Sequence, residues 1–181
     1  MVVEKPLIGR YVRLDSCTEE DAEFTRDIRM LPDIRSCFPA FENTLEMQKR
    51  WIDRQQKKEG DYFFVVRDLN GKRIGTTGLY DICDGSGECG RLVIRGDAIR
   101  SIEAQLLCTR FAFEELGLEK LTGFIFADNK RAIRSSSIFG TEISDRETDE
   151  TGNEIVKTVL TRDVFFNREK EIVRLLYSEE E

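Results

Sequence analysis

The sequence predicts an α+β domain in which a mostly antiparallel meander is interleaved with helices. Short apolar runs such as Tyr62-Phe63-Phe64-Val65-Val66 and Leu92-Val93-Ile94 are bounded by turn residues, as strands are. Longer stretches carry apolar residues near 3.6-residue spacing and stop at Gly or Pro, as helices do. The two kinds of segment alternate along 181 residues with no internal repeat and no low-complexity linker. That length suits one sizeable core, so a single domain over residues 1–181 is expected.

Leu7 to Leu14 alternates as a strand. Thr18 is placed to cap the next helix, with Asp21 three residues on, and Pro32 ends that helix near Met30. Thr44 starts a second helix through Trp51 and Ile52 to about Lys58, closed by Gly60. Tyr62 to Val66 is a strand, Asp68-Leu69-Asn70-Gly71 a hairpin turn, and Arg73 to Asp81 the return strand. A second turn, Cys83 to Gly87, leads to a strand ending at Ile94. After a turn at Gly96, Ile102, Leu106, Ala112, Phe113 and Leu116 mark a helix that Gly117 stops. The strand Leu121 to Phe126 then runs into Asp128-Asn129 and a short helix closed by Gly140. A strand near Glu142 to Glu147, a turn at Thr151-Gly152-Asn153 and a strand from Ile155 to Arg162 follow. A last helix runs from about Phe165 to Tyr177, ahead of a solvated acidic tail, Glu179-Glu180-Glu181.

Composition excludes several classes of chemistry. A net charge of −7 disfavours a general nucleic-acid or anionic-membrane binder. It hints instead at a cationic acceptor. Five cysteines (Cys17, Cys37, Cys83, Cys89, Cys108) lack CxxC spacing, and no signal peptide or transmembrane run is seen, so reduced thiols in the cytoplasm are expected. Histidine is absent, which removes Ser-His-Asp and Cys-His catalysis and most zinc sites, and no metal is expected. Acid–base work falls to Asp, Glu, Tyr, Cys, Lys, water or a terminus. Residues 88–140 place a helix N-terminus at the carboxyl end of a strand, a geometry that aims free N–H groups at an anion such as a phosphate.

The ordered words Glu88-Cys89-Gly90, Glu103-Ala104, FAFEELGLEKL at 111–121 and FADNKRAIRSSSIFG at 126–140 resemble the GNAT superfamily of acyl-CoA-dependent N-acyltransferases. With LIGRYVRLDSCTEEDAEF at 7–24 they are most similar to the subgroup resembling ribosomal-protein alanine acetyltransferases. The resemblance spans roughly residues 7–165. It implies the GNAT fold, a mixed and mostly antiparallel sheet with helices on both faces, whose fourth and fifth strands splay around a pantetheine arm. It implies acetyl-CoA as co-substrate and transfer to a primary amine by direct attack in a ternary complex. The acceptor is left open between a protein N-terminus, an amino sugar and a small amine, as is a homodimer.

The family's Q/R-x-x-G-x-G/A word, which wraps the pyrophosphate, corresponds to Arg95-Gly96-Asp97-Ala98-Ile99-Arg100-Ser101-Ile102, where only Gly96 remains a glycine. Arg95 and Arg100 are then the candidate phosphate ligands, and Ser101 is a candidate N-cap or hydroxyl donor. Backbone N–H groups near Leu92, Val93 and Ile94 would polarise the thioester carbonyl. Asn129 would contact the pantetheine arm or cap the following helix, and Arg131 and Arg134 would reach the adenosine phosphate or solvent. Where the family often has a general-acid Tyr, this chain has Ser136, with Ser135 and Ser137 alongside; serine is the poorer donor. Glu88 is the candidate base, and Asp81, Asp84, Asp15 and Glu142 are less specific ones. Trp51, Phe41, Phe38 and Met47 could line an acceptor pocket, and Arg29 and Arg35 could bind an acidic acceptor. Core packing or solvent is the plainer role for each. Cys89 and Cys108 read as small buried hydrophobes rather than acyl carriers. The missing glycines and Tyr motivate an alternative: a catalytically weak GNAT-fold CoA-binding or regulatory module. A chain binding no CoA at all is the third reading.

Overall fold

A computed structural model describes residues 1–31, 34 and 43–177; Arg35, Cys37, Phe38, Phe41 and the acidic tail from Glu179 lie outside them. The elements in order are β1 (Leu7–Ile8), β2 (Val12–Ser16), a 3-10 turn (Glu19–Asp21), α1 (Ala22–Met30), α2 (Leu45–Lys57), β3 (Tyr62–Asp68), β4 (Arg73–Cys83) and β5 (Ser86–Ile94). There follow α3 (Ala98–Arg110), β6 (Lys120–Phe126), α4 (Lys130–Ile138), β7 (Glu142–Ile143), β8 (Glu147–Thr148), β9 (Glu154–Thr161) and α5 (Arg162–Tyr177). The strands form one sheet in the order β1-β2-β3-β4-β5-β6-β9-β7, with β8 also on β9. Every pairing is antiparallel except β5 with β6.

Side-chain alternation along β3 divides the core. Phe64 and Val66 face the larger cluster, with Leu106 and Phe113 from the α3 side and Phe165 and Ile172 of α5. Phe63 and Val65 face Ala22 of α1 and Ile52 of α2 on the opposite side. Helices therefore cover both faces, as the resemblance implied. Trp51 packs edge-on against Phe63 with centroids 5.1 Å apart, and Phe111 does the same to Phe64 at 5.7 Å.

Local signals account for most boundaries. Thr18 and Asp21 form the expected capping box, on a 3-10 turn that leads into α1. Thr44 caps α2, its hydroxyl accepting the Met47 N–H at 3.2 Å. Gly117 and Gly140 terminate their helices at φ +65° and +77°. α3 is continued by one π-helical turn, Phe111–Glu115, before Gly117.

Two expectations are corrected. The last helix starts at Arg162, directly off β9, because the Arg162 N–H bonds the Glu119 carbonyl and its guanidinium bonds the Phe113 carbonyl at 2.7 Å. The strand expected near 142–147 is two short pieces. Between them the Ser144 hydroxyl accepts the Lys157 N–H and donates to the Asp145 carbonyl, which interrupts the ladder.

One tie crosses the whole fold. Glu103 of α3 is completely buried, and its carboxylate accepts N–H bonds from Arg10, Tyr11 and Val12 at 2.7–2.8 Å. The Tyr177 hydroxyl at the end of α5 donates to the same group at 2.6 Å. Four donors compensate the buried charge. Gly9 is required at the β1–β2 turn because a Cβ there would sit 2.5 Å from the Glu103 carboxyl carbon.

Candidate active site

Among the described residues β5 and β6 are the one parallel pair, and their register holds only where Ser86, Gly87 and Glu88 face Lys120, Leu121 and Thr122. Beyond Glu88 the strands part. β5 there carries a bulge: the register with β4 shifts between Thr76 and Gly78, and Arg91 takes a left-handed φ of +55°. The Thr76 hydroxyl fixes the bulge by donating to the Arg91 carbonyl at 2.8 Å. The gap is a cleft of about 990 Å³ between β5, β6, α3 and α4.

Glu88 stands at the vertex of the split, on the cleft wall. Tyr80, its cross-strand partner on β4, donates its hydroxyl to Glu88 Oε1 at 2.5 Å. Burial and this bond to a carboxylate hold the Tyr80 phenol well above its ordinary value, so it stays a proton donor to Glu88. Gly90 makes room: a Cβ there would lie 2.3 Å from the Tyr80 oxygen. The third letter of the Glu88-Cys89-Gly90 word is thereby explained. The Arg91 guanidinium lies 4.1 Å from the Tyr80 ring centroid and makes a two-point bond to Asp61 at 2.6 and 3.0 Å. Tyr80 went unnoticed in the sequence, although counting back from the turn at Asp84-Gly85 pairs it with Glu88 or its neighbour.

The far end of the cleft is the N-terminus of α3. Ser101 is not the cap expected there. Asp97 is, its carboxylate accepting the Arg100 N–H at 2.8 Å and pairing with the Arg100 guanidinium. A free carboxylate one residue before the helix outcompetes a hydroxyl already inside it. The Ser101 hydroxyl is instead buried in the cleft wall without a hydrogen-bond partner among the described residues. On the opposite wall Asn129 caps α4, its side chain accepting the Ala132 N–H at 3.1 Å. Ser135 bonds Gln105 at 2.9 Å and so ties α4 to α3.

The structure brings Glu88, Leu92, Val93, Ile94, Arg95, Gly96, Ser101, Asn129, Arg131 and Ser136 to this one cleft. Four candidates lie off its wall: Ile102 is a core residue, Ile99 packs on the core, Arg100 is held by Asp97, and Arg134 is exposed. Cys89 lines the cleft and Cys108 is in the core. Asp81 pairs with Lys58, and Asp15 with Arg13 and Arg67.

A second hollow of about 800 Å³ lies against α2 and the end of α1. Met47 and Trp51 line it, together with Arg29, Arg50, Arg54 and Arg91. Arg29 and Arg91 line both cavities. Burial, then the charge of Arg91, lower the Arg29 guanidinium to about 10. Among the described residues no group of acidic or cysteine side chains could hold a metal ion, and no helix is long and apolar enough to cross a membrane.

No curated protein sequence matches the chain significantly. Solved structures do. A GCN5-related N-acetyltransferase from Brucella melitensis superposes with a TM-score of 0.81 at 19% identity, covering 98% of this chain and 87% of that one. FdhC, described as a nucleotide-linked sugar GNAT, gives 0.82 at 20%, covering 96% and 99%. The spermidine/spermine N-acetyltransferase SpeG from Vibrio cholerae gives 0.74 at 14%, covering 87% and 98%. At these identities the likeness establishes the fold, with its mixed nine-strand sheet. The acetyltransferase (GNAT) domain profile matches residues 12–140, most of the chain, and with the split sheet this shows that the chain belongs to the GNAT acetyltransferase family.

Proposed function

We propose that the chain is an acetyl-CoA-dependent N-acetyltransferase that acts on a primary amine by direct attack in a ternary complex. The observation that carries this is the split between β5 and β6 with Glu88 at its vertex. Both open edges line one cleft that ends at a helix N-terminus. The residues present fit acetyl-CoA: the buried, partnerless Ser101 hydroxyl is a donor awaiting an acceptor, and Arg95 and Arg131 flank the same cleft. Acetyl-CoA supplies the acetyl group as a thioester.

The remaining roles belong to the chain. Arg95, Ser101, Arg131 and the first free N–H groups of α3 hold phosphate oxygens. Asn129 and the edge of β5 from Leu92 to Ile94 orient the amide-bearing arm and the carbonyl. Glu88, kept in place by the Tyr80 hydroxyl, takes the proton from the acceptor's ammonium. Ser136, directly or through water, returns a proton to the departing sulfur. Holding both reactants in one cleft supplies much of the acceleration, so a weak acid suffices.

A kinship to ribosomal-protein alanine acetyltransferases and a cytoplasmic location belong to this proposal. FdhC and SpeG, by their descriptions, act on a nucleotide-linked sugar and on spermidine or spermine, so an amino sugar and a small amine stand beside a protein N-terminus as acceptors. Asp97 favours a second reading, a CoA-binding or regulatory module, because its carboxylate occupies the helix end where phosphate would sit. Titration with acetyl-CoA, paired with thiol release on an amine panel, separates the two. Saturable binding with turnover supports the enzyme, binding without turnover the module, and no binding removes both. Glu88→Gln is expected to lower turnover at neutral pH while leaving acetyl-CoA affinity unchanged; unaltered turnover would take Glu88 out of the mechanism.

A further inference from the structure

The described lining of the hollow beside the cleft carries four arginines in a chain whose net charge is −7. Arg29, Arg50, Arg54 and Arg91 line it, and the one carboxylate in the described lining, Asp53, is already paired with Lys57 at 2.7 Å. Arg91 is matched by Asp61. Arg50 and Arg54 are matched by no carboxylate among the described residues, and the one bond recorded for Arg50 runs to the Glu46 carbonyl at 3.3 Å. They sit four residues apart on α2, where like charges repel along the helix. A helix keeps such a pair at a net cost unless an anion meets it. Trp51 and Met47 add apolar surface to the same lining, as small-molecule sites do. The hollow shares Arg29 and Arg91 with the cleft, and Arg91 stacks on the tyrosine that holds Glu88.

We propose that this hollow takes the anionic end of a small acceptor, a phosphate or carboxylate carried by the same molecule whose amino group meets Glu88. The inference rests on the acetyltransferase reading of the cleft and narrows its acceptor to anion-bearing amines, with Arg50 and Arg54 as specificity-determining residues. It reverses what net charge suggests, because Arg50 and Arg54, with no carboxylate on them among the described residues, set the local field whatever the average. A polyamine is rejected by the same field, and a phosphate or carboxylate suits the guanidinium fork.

The test compares matched acceptors in a thiol-release assay at low ionic strength: glucosamine 6-phosphate with glucosamine, L-methionine with L-methioninamide, and spermidine. At least one anionic acceptor is expected to exceed its analogue lacking the anion in kcat/KM by about tenfold or more, the worth of one charge-assisted hydrogen bond. The sugar and amino-acid arms tell phosphate from carboxylate. The Arg50→Gln/Arg54→Gln double variant should raise KM for the preferred anionic acceptor about ten- to hundredfold, with the loss in KM rather than kcat. Calorimetric titration of that acceptor in the presence of CoA should show the same loss without turnover. Spermidine as the best substrate, neutral analogues matching both anionic acceptors, or an unchanged KM in the double variant would overturn the proposal. Failure of acetyl-CoA to bind is a different result and strikes the acetyltransferase reading instead.

Discussion

Asp97→Asn tests whether the start of α3 holds the pyrophosphate. Asn is as good an N-cap as Asp, so the bond from the Arg100 N–H survives and α3 keeps its start. What leaves is one negative charge at the end of a helix whose dipole would otherwise serve an anion. Two like charges a few ångströms apart in a solvated loop repel by about 1–2 kcal/mol. Asp97 is half exposed, so the low end of that range applies. The substitution also releases the Arg100 guanidinium from its ion pair. Acetyl-CoA affinity should therefore rise about fivefold, measured by isothermal titration. The gain should shrink at high salt, and the unfolding midpoint should move little. Arg100→Ala should weaken binding more in the Asp97→Asn background than in the native chain, where Asp97 already holds the guanidinium. Unchanged or weaker affinity in Asp97→Asn would show that the carboxylate does not compete with phosphate, and would refute the assignment of this helix end to the pyrophosphate.

Gly90→Ala should drive the Tyr80 hydroxyl off Glu88 and lower turnover about tenfold, matching Tyr80→Phe; full activity in either would remove this contact from the mechanism. Glu103→Gln sets an amide N–H against the backbone N–H groups of Tyr11 and Val12, or against Arg10 and Tyr177, and should cost about 3 kcal/mol or more by urea unfolding. The Tyr80 and Tyr177 phenols are both raised in the fold, chiefly by burial. Their contribution is then complete below the unfolded tyrosine value and lost above it, so the urea midpoint should hold through neutral pH and fall above about pH 10. A Tyr80→Phe/Tyr177→Phe variant with the same alkaline fall would show that other groups cause it.

Caps and stops were legible because they are local. Thr44, Gly117 and Gly140 act within a turn of where they stand. The cleft's residues were also foreseen in large part, since a strand followed by a helix aims its loop whatever the rest of the chain does. The long-range partners were not legible. Glu103 reads as one more helix carboxylate until β1–β2 and the end of α5 are folded onto it. The cap passed from Ser101 to Asp97 because both are good capping types and only the backbone path chooses. The arginines of the hollow come from α1, α2 and β5, far apart in sequence, so net charge concealed them.

The split sheet also bears on how the protein keeps company with itself. β5 is bonded to β4 on one side and β6 to β9 on the other, which leaves each with a run of backbone groups facing the gap. Unpaired strand edges normally invite a neighbouring chain to add on and begin aggregation. Here the two bare edges face each other across the cleft instead of facing outward. The fold thus carries an interrupted ladder at its centre without presenting it to the crowd.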